Sequence, residues 1–546
     1  EKPKALPNLD YKIVVGDSLI SKFDDEIVEI DWGRKQSVGK ADEYVKNVQR
    51  LLVEVAEKQK EYFNPNNKNK KKLQTIIRNL KIELLKNQIS FNKELYVNRT
   101  AQKGGFTPTA ADIKHNTKRE LQIAAYNNLI SKLNNLLKNP NEPFKHFDWK
   151  LDFPEVLNPY LVNENGGFDI VIGNPPYGFR TVLSKDEKDH FRKVRKIAFS
   201  SGDSAELFVK ISFDNLTKER GVQTFIIPKK SLYGDAWEDT RINYWKKYNL
   251  IFILDTGKSF ENVLLEASVF CLKKEKTEND IKVAFLTKNG INEVGSFPIN
   301  ELLAESNTLQ VYKAQYPKSI IEKIDNIKFK EKIVEGKLGL AIGTDFFSDE
   351  ETNDKLLKGI DIQRYQIRSH RYLKNKQKLK QESYDEFLNP KVLVQRLVAH
   401  IENPYPHLKI TACYDNEGII ITNTLMSFSI DNRISEKFWL AYLNSKFVSW
   451  YAYNFIYARA IRGMDFYNFY IQQVPIPNIS KENQKIFIGL VDQILIQKSQ
   501  NQDTTALEQQ IDNLVYHLYE LSYDEVKVID PEFSLSKNEY ESIKIE

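Results

Sequence analysis

The sequence has little sulfur: its 546 residues include two cysteines and two methionines. Cys271 and Cys413 stand far apart, which excludes a disulfide framework and a cysteine-based metal site. No metal ligand set is therefore expected, each cysteine is expected to be a small core residue, and the usage fits a reducing cytoplasm. No apolar run approaches membrane-spanning length, so a soluble chain without membrane contact is expected. A signal-peptide pattern is also lacking, and the chain opens at Glu1, its methionines being Met426 and Met464, so it reads as a fragment. Gly104-Gly105, Gly166-Gly167 and Gly202 do not make a strand-to-helix glycine-rich turn of the dinucleotide-binding kind.

A length of 546 residues suits two to four domains, and a net charge of +5 decides little about partners unless the bases cluster. The most informative stretch is Phe168-Asp169-Ile170-Val171-Ile172-Gly173-Asn174-Pro175-Pro176-Tyr177. Its β-branched run predicts a strand buried on both faces, ended abruptly by Gly and two prolines. Asn174 then falls at the carboxyl end of a strand, the edge where open α/β sheets bind ligands. The Asn174 side-chain oxygen and the Pro175 carbonyl, held by restricted backbone, can both accept from an exocyclic amine. An exposed Tyr177 ring can stack on a flat base.

Asn-Pro-Pro-Tyr after an apolar strand ending in Gly resembles the catalytic motif of DNA adenine-N6 methyltransferases. The lead-in Phe147-Asp148-Trp149-Lys150-Leu151-Asp152-Phe153-Pro154-Glu155-Val156 is similar to the type IIG restriction-modification branch of that family. The resemblance implies catalytic roles for Asn174, Pro175, Pro176 and Tyr177, and S-adenosyl-L-methionine as cofactor. It also implies a Gly-rich cofactor loop upstream, which is not in this sequence. The expectation is that this half of the pocket, with any nuclease domain, precedes Glu1. A missing amino-terminal segment of the same enzyme is then a partner, and this chain alone binds cofactor weakly and is inert.

Along the chain, Tyr11 to Leu19 reads as a short buried strand ending in a Gly16-Asp17 turn. Asp17 is either a turn residue capping the next segment or, as the resemblance implies, a contact to the adenine of the cofactor. From about 42 to 137 apolar residues recur at helical spacing, a helical insertion between two strands. The basic run Lys68 to Lys72 is read as a solvated loop between helices, with DNA phosphates as the other reading. Thr181 to Ser201 reads as a polar, basic, mobile loop over the site, followed by a helix from Ala205. Strands are expected at Gly221–Pro228, Leu250–Asp255 and Ala267–Leu272. Between the last two lies Phe260, where the resemblance implies an aromatic against the flipped base.

After about Lys273 the pattern changes to short strands and aromatic-rich loops, suggesting a second domain. The stretches Lys337–Thr344, Leu357–Tyr365 and Phe438–Ser445 resemble the target-recognition domains of type IIG enzymes and type I specificity subunits. Between Lys355 and Lys409 basic residues, Arg364 among them, interleave with tyrosines, which suits a phosphate-tracking surface or a solvated basic face. Arg459 and Arg462 are candidates for base or phosphate contact. Leu507, Ile511, Leu514, Val515, Leu518 and Leu521 form a helical stripe expected to pack on the preceding helix.

The fold class expected is α/β, a partial Rossmann-like methyltransferase sheet with a helical insertion, followed by a mixed α/β target-recognition domain and C-terminal helices. The expected division is 1–275 with the insertion at about 40–137, then 276–480, then a helical segment 481–546. The expected function is adenine-specific methylation of double-stranded DNA within a restriction-modification enzyme. The alternative is a DNA-binding specificity subunit without catalysis, against which the intact Asn-Pro-Pro-Tyr argues, since a pure reader has no use for an amine-directed pocket.

Overall fold

The structure, a computed structural model, describes residues 13–544 apart from 65, 106, 163–165, 179–182, 201, 259–264, 277–279 and 349. It is mixed α/β and divides into two compact units, Glu1–Ile226 with Phe270–Thr277, and Ile227–Val269 with Glu278–Glu546. Among the described residues, no helix is long and apolar enough to cross a membrane.

In the first unit three long helices follow one another: α1 (Lys40–Phe63), α2 (Lys70–Arg99) and α3 (Ala110–Lys138). The spacing of Val45, Val48, Leu51, Leu52 and Val55 places them on one buried face of α1, and Leu73, Ile77, Leu84 and Leu85 are buried on α2. Thr109 and Asp112 close a reciprocal capping box that sets where α3 begins. Beneath α2, Lys81 Nζ meets Asp152 Oδ1 at 2.8 Å in a buried ion pair. Lys68 and Asn69 lie in the link between α1 and α2, and Lys70 to Lys72 open α2, with the Lys70 ammonium over the Tyr62 ring.

The strand expected from Tyr11 to Leu19 is not formed over its described part. Ile13 and Val15 are 74% and 98% exposed, and among the described residues no strand pairs with them. A β-branched run without a ladder partner has nothing to hold it extended. Instead Asp17 Oδ1 accepts from the amides of Leu19 and Ile20 at 2.9 and 3.3 Å and turns the chain.

The motif strand does form. β1 (Phe168–Gly173) runs parallel to β2 (Thr217–Pro228), joined through α4 (Ser204–Asn215), with Ile170 opposite Val222 and Gly173 opposite Phe225. It is not buried on both faces as expected: Ile170 is 65% and Ile172 78% exposed. Among the described residues β1 ends the strand order and pairs with β2 alone, and nothing covers the face that carries Ile170 and Ile172. The expected loop from Thr181 to Ser201 is largely helical over its described residues. Ser184 and Glu187 cap a helix at Lys185–Asp189, and Phe191 and Phe199 anchor the segment in a core with Leu207 and Ile211.

In the second unit β3 (Asn249–Lys258) runs parallel to β5 (Ile281–Thr287), and β5 pairs antiparallel with β6 (Gly290–Phe297). Between them in sequence comes β4 (Glu266–Lys273), whose last four residues are counted with the first unit. β5 and β6 were not foreseen from the sequence. Further on, β7 (Val334–Leu338), β8 (Lys391–Gln395), β9 (Ala412–Asp415) and β10 (Leu425–Ile430) form a sheet in the order β9-β8-β10-β7. Cys413 is fully buried there among Leu393, Ile421 and Leu425, whereas Cys271 is half-buried. The chain closes on helices, of which α5 (Gln484–Ser499) contacts α6 (Thr505–Leu518), and Ile511, Leu514 and Val515 of the α6 stripe are buried.

Candidate functional site

Gly173 ends β1 against the ring of Phe225, where a Cβ would come within 3.0 Å of a ring atom, so a side chain there would require the ring to give by a few tenths of an ångström. Asn174 follows at the carboxyl end and is exposed, Pro175 is buried, and Tyr177 is half-buried. The backbone beyond is held from the start of α4. Ser204 Oγ donates to the Pro176 carbonyl at 2.6 Å, and Asp203 Oδ1 accepts from Gly178 N at 3.3 Å while capping α4 through Ala205 N at 3.0 Å. The Tyr177 ring, expected to be exposed, lies partly inward, and its hydroxyl is buried with no hydrogen-bond partner among the described residues. Burial, and secondarily the Asp203 carboxylate, push this phenol up to about 12. One turn into α4, Glu206 and Lys210 form a 2.7 Å ion pair that is almost wholly buried, and Lys210 also donates to the Ala198 carbonyl.

The group is therefore an exposed side-chain amide on a fixed backbone, flanked by an aromatic ring. It has acceptors suited to an amine and lacks a nucleophile, so it can orient and polarise a nitrogen. Asp17 holds its own turn through Oδ1 and is reached at Oδ2 by Lys22 Nζ at 3.5 Å. Phe260 lies outside the described residues. Among the described residues no group of three or more His, Cys, Asp or Glu could hold a metal ion. A cavity of about 920 Å³ belongs to the second unit, lined in part by Gln310, Lys313 and Tyr451, and none of its lining comes from residues 173–178.

The three arginines singled out from sequence have different surroundings. Arg364 donates to the carbonyls of Ile410 and Asn444, and Glu508 lies 3.9 Å away. Arg459 donates to Asn454 Oδ1 at 2.7 Å and to Tyr316 Oη at 3.3 Å, and its guanidinium lies 4.2 Å above the Tyr312 ring. Both side chains are thus engaged with the protein itself. Arg462 is exposed, next to Gly463 at φ +67°.

Asp203 and Ser204 were missed, although Asp-Ser ahead of an apolar helical run is the ordinary signature of a helix start. Starting the helix at Ala205 concealed that these two cap residues also reach the motif loop.

Residues 41–261 match the family model described as Eco57I restriction-modification methylase. Residues 354–476 match that of the TaqI-like C-terminal specificity domain. A protein of Methanocaldococcus jannaschii described as a type II restriction enzyme and methyltransferase, RM.MjaORFECS2P, is 25% identical over 414 residues, 69% of this chain and 33% of that protein. The type II restriction enzyme and methyltransferase RM.Eco57I of Escherichia coli is 25% identical over 198 residues, 33% of this chain and 19% of that protein. The chain thus spans a third or less of the length of these relatives. Among solved structures, the type IIL restriction-modification enzyme MmeI in complex with DNA aligns with a TM-score of 0.44 at 12% identity, covering 92% of this chain and 78% of that one.

Proposed function

We propose that the chain is the methylase and specificity portion of a restriction-modification enzyme, a reading its two matched regions support, and that it methylates the N6 amine of adenine in a specific double-stranded DNA sequence. The observation that carries this reading is the exposed Asn174 at the end of β1, on a loop pinned by Ser204 and Asp203.

The methyl donor is S-adenosyl-L-methionine, which when bound supplies an electrophilic methyl group. Displacement from a sulfonium needs no covalent intermediate, so the chain's task is positioning and electrostatics. The Asn174 amide oxygen and the Pro175 carbonyl accept from the two N–H bonds of the amine, drawing its lone pair out of conjugation with the ring. Adenine must leave the duplex to reach them, and Tyr177 stacks on the extruded base, a role proposed for Phe260 as well. Asp17 retains acceptor capacity at Oδ2, which fits an amine on the adenine of the donor. Arg462 contacts DNA, whereas Arg364 and Arg459, proposed from sequence for the same role, have their side chains engaged with the protein. The methyltransferase portion occupies 1–275, target recognition 276–480, and the C-terminal helices 481–546.

The test is to incubate the full protein and its Asn174→Ala variant with labelled donor and mixed-sequence duplex DNA. Label is expected on adenine N6 for the wild type. The variant should lose transfer while keeping DNA affinity within about twofold, since the amide acts on the amine and not on phosphate. Tight DNA binding with no transfer by the wild type would favour a non-catalytic specificity subunit. Near wild-type turnover by the variant would reject the assignment of Asn174.

A further inference from the structure

A cluster of four charges lies in the second unit, apart from the motif residues. Lys229, just after β2, places Nζ 2.9 Å from Asp255 Oδ2 and 3.3 Å from Glu266 Oε1. The Lys229 and Asp255 side chains are 3% and 2% exposed and that of Glu266 12%. Tyr312 Oη donates to Asp255 Oδ2 at 2.7 Å, and Arg459 covers the Tyr312 ring. The second carboxylate oxygen of Glu266 accepts from the Ile461 amide at 2.8 Å. Lys229 and Asp255 belong to the methylase-like segment, whereas Arg459 and Ile461 belong to the specificity-like one. Buried ions of this kind contribute little net stability relative to apolar packing, so their consequence is directional.

What they direct is the turn carrying Arg462. Ala458 and Arg459 take left-handed φ of +47° and +56°, unusual for residues with a Cβ, and the Ile461 amide then reaches Glu266. Beyond Arg462 and Gly463 the chain is fastened again. Val398 N donates to the Met464 carbonyl at 3.1 Å, Phe466 N donates to the Arg396 carbonyl at 2.6 Å, and Arg396 forks onto both Asp465 oxygens at 2.6 and 2.8 Å. An exposed arginine is thereby presented from a short turn fixed on both sides.

We infer that Glu266 is a positioning residue which, through the Ile461 amide, sets the Arg462 turn against the strand ends bearing Lys229 and Asp255. DNA contact by Arg462 and presentation of the target base then stay in step. The inference rests on the proposed DNA methylation. It makes Glu266 a determinant of sequence discrimination although its own side chain faces protein.

The full protein is assayed with methyl donor on a duplex carrying the site read from methylated DNA, and on duplexes altered at single base pairs. Glu266→Ala is expected to lower cognate kcat about tenfold and discrimination at one base pair about tenfold, with KM for DNA within about threefold. In the double variant with Arg462→Ala, discrimination should fall no further than in Arg462→Ala alone, because both act through one turn. A general loss of structure gives additive losses instead. Glu266→Asp keeps the charge beside Lys229 but is a methylene too short for the Ile461 amide, and should reproduce the loss even where Glu266→Ala fails to fold. Additive losses, or wild-type discrimination by Glu266→Asp, would overturn the inference. Absence of adenine methylation by the wild type would instead reject the functional reading beneath it.

Discussion

Ser204 Oγ lies 2.6 Å from the carbonyl oxygen of Pro176 and donates to it, so the first residue of α4 restrains the loop that carries Asn174. Ser204→Ala leaves that carbonyl without its partner. The cost to stability should be about 1 kcal/mol, the usual worth of one such bond. The cost to turnover should be larger, about tenfold in kcat with KM for DNA little changed, because small displacements of a reacting geometry are expensive. Steady-state kinetics and thermal melting on the same preparations check both, and an unaltered kcat would show that the prolines suffice.

Arg462 is exposed, and if it meets phosphate its removal should weaken all duplexes alike and reduce the slope of log affinity against log salt by about one. If it reads a base edge, Arg462→Ala should cost about 1–3 kcal/mol at one position only. Binding measured at several salt concentrations on cognate and altered duplexes separates the two. No effect on either would remove Arg462 from the DNA surface.

Asp512 should make stability depend on pH. Part of the residue reaches the surface, but its carboxyl is enclosed; burial raises it to about 7, against the Lys446 amide and the charges of Arg364 and Lys446, with Asp530 adding to the rise. An unfolded Asp titrates near about 3.9, so between there and about 7 the folded chain binds a proton that the unfolded chain has released. Stability from this group is therefore greatest at low pH and declines as the pH rises through about 7. Melting of wild type and Asp512→Asn from pH 5 to 8 should show a flatter profile for the variant, which keeps an acceptor for the Lys446 amide. Parallel profiles would refute this.

Lys81→Met leaves Asp152 buried without its cation and should destabilise the chain by about 3 kcal/mol. The denaturation midpoint in urea measures this. A midpoint at the wild-type value would mean that Asp152 is rescued by its bond from the Asp148 amide.

Local pattern accounts for much of the architecture. Val45, Val48, Leu51, Leu52 and Val55 predict a buried helical face and form one, and Leu250 to Asp255 and Ala267 to Leu272 lie within strands. Exposure was harder to read, because it depends on what lies alongside: the β-branched residues at Ile13, Val15, Ile170 and Ile172 look like core and stand open. The site divides similarly. Asn174 was located by the abrupt Gly-Asn-Pro-Pro ending of its strand, whereas Lys229, Asp255 and Glu266 meet through contacts between distant positions that leave no period in the sequence. Arg364 and Arg459 illustrate a further limit: a basic residue among aromatics reads the same whether it faces DNA or is folded against Asn444 and Tyr312.

The pairing of Phe168 with Thr217 and of Gly173 with Phe225 has a consequence for biosynthesis. The Asn-Pro-Pro-Tyr motif leaves the ribosome well before the strand it pairs with and before the helix whose first residues pin its loop. Until Phe225 has been translated, the nascent chain displays Asn-Pro-Pro-Tyr without the backbone that aims it. An interrupted translation product ending in that interval carries the motif without the pairing strand and the helix start that fix its loop.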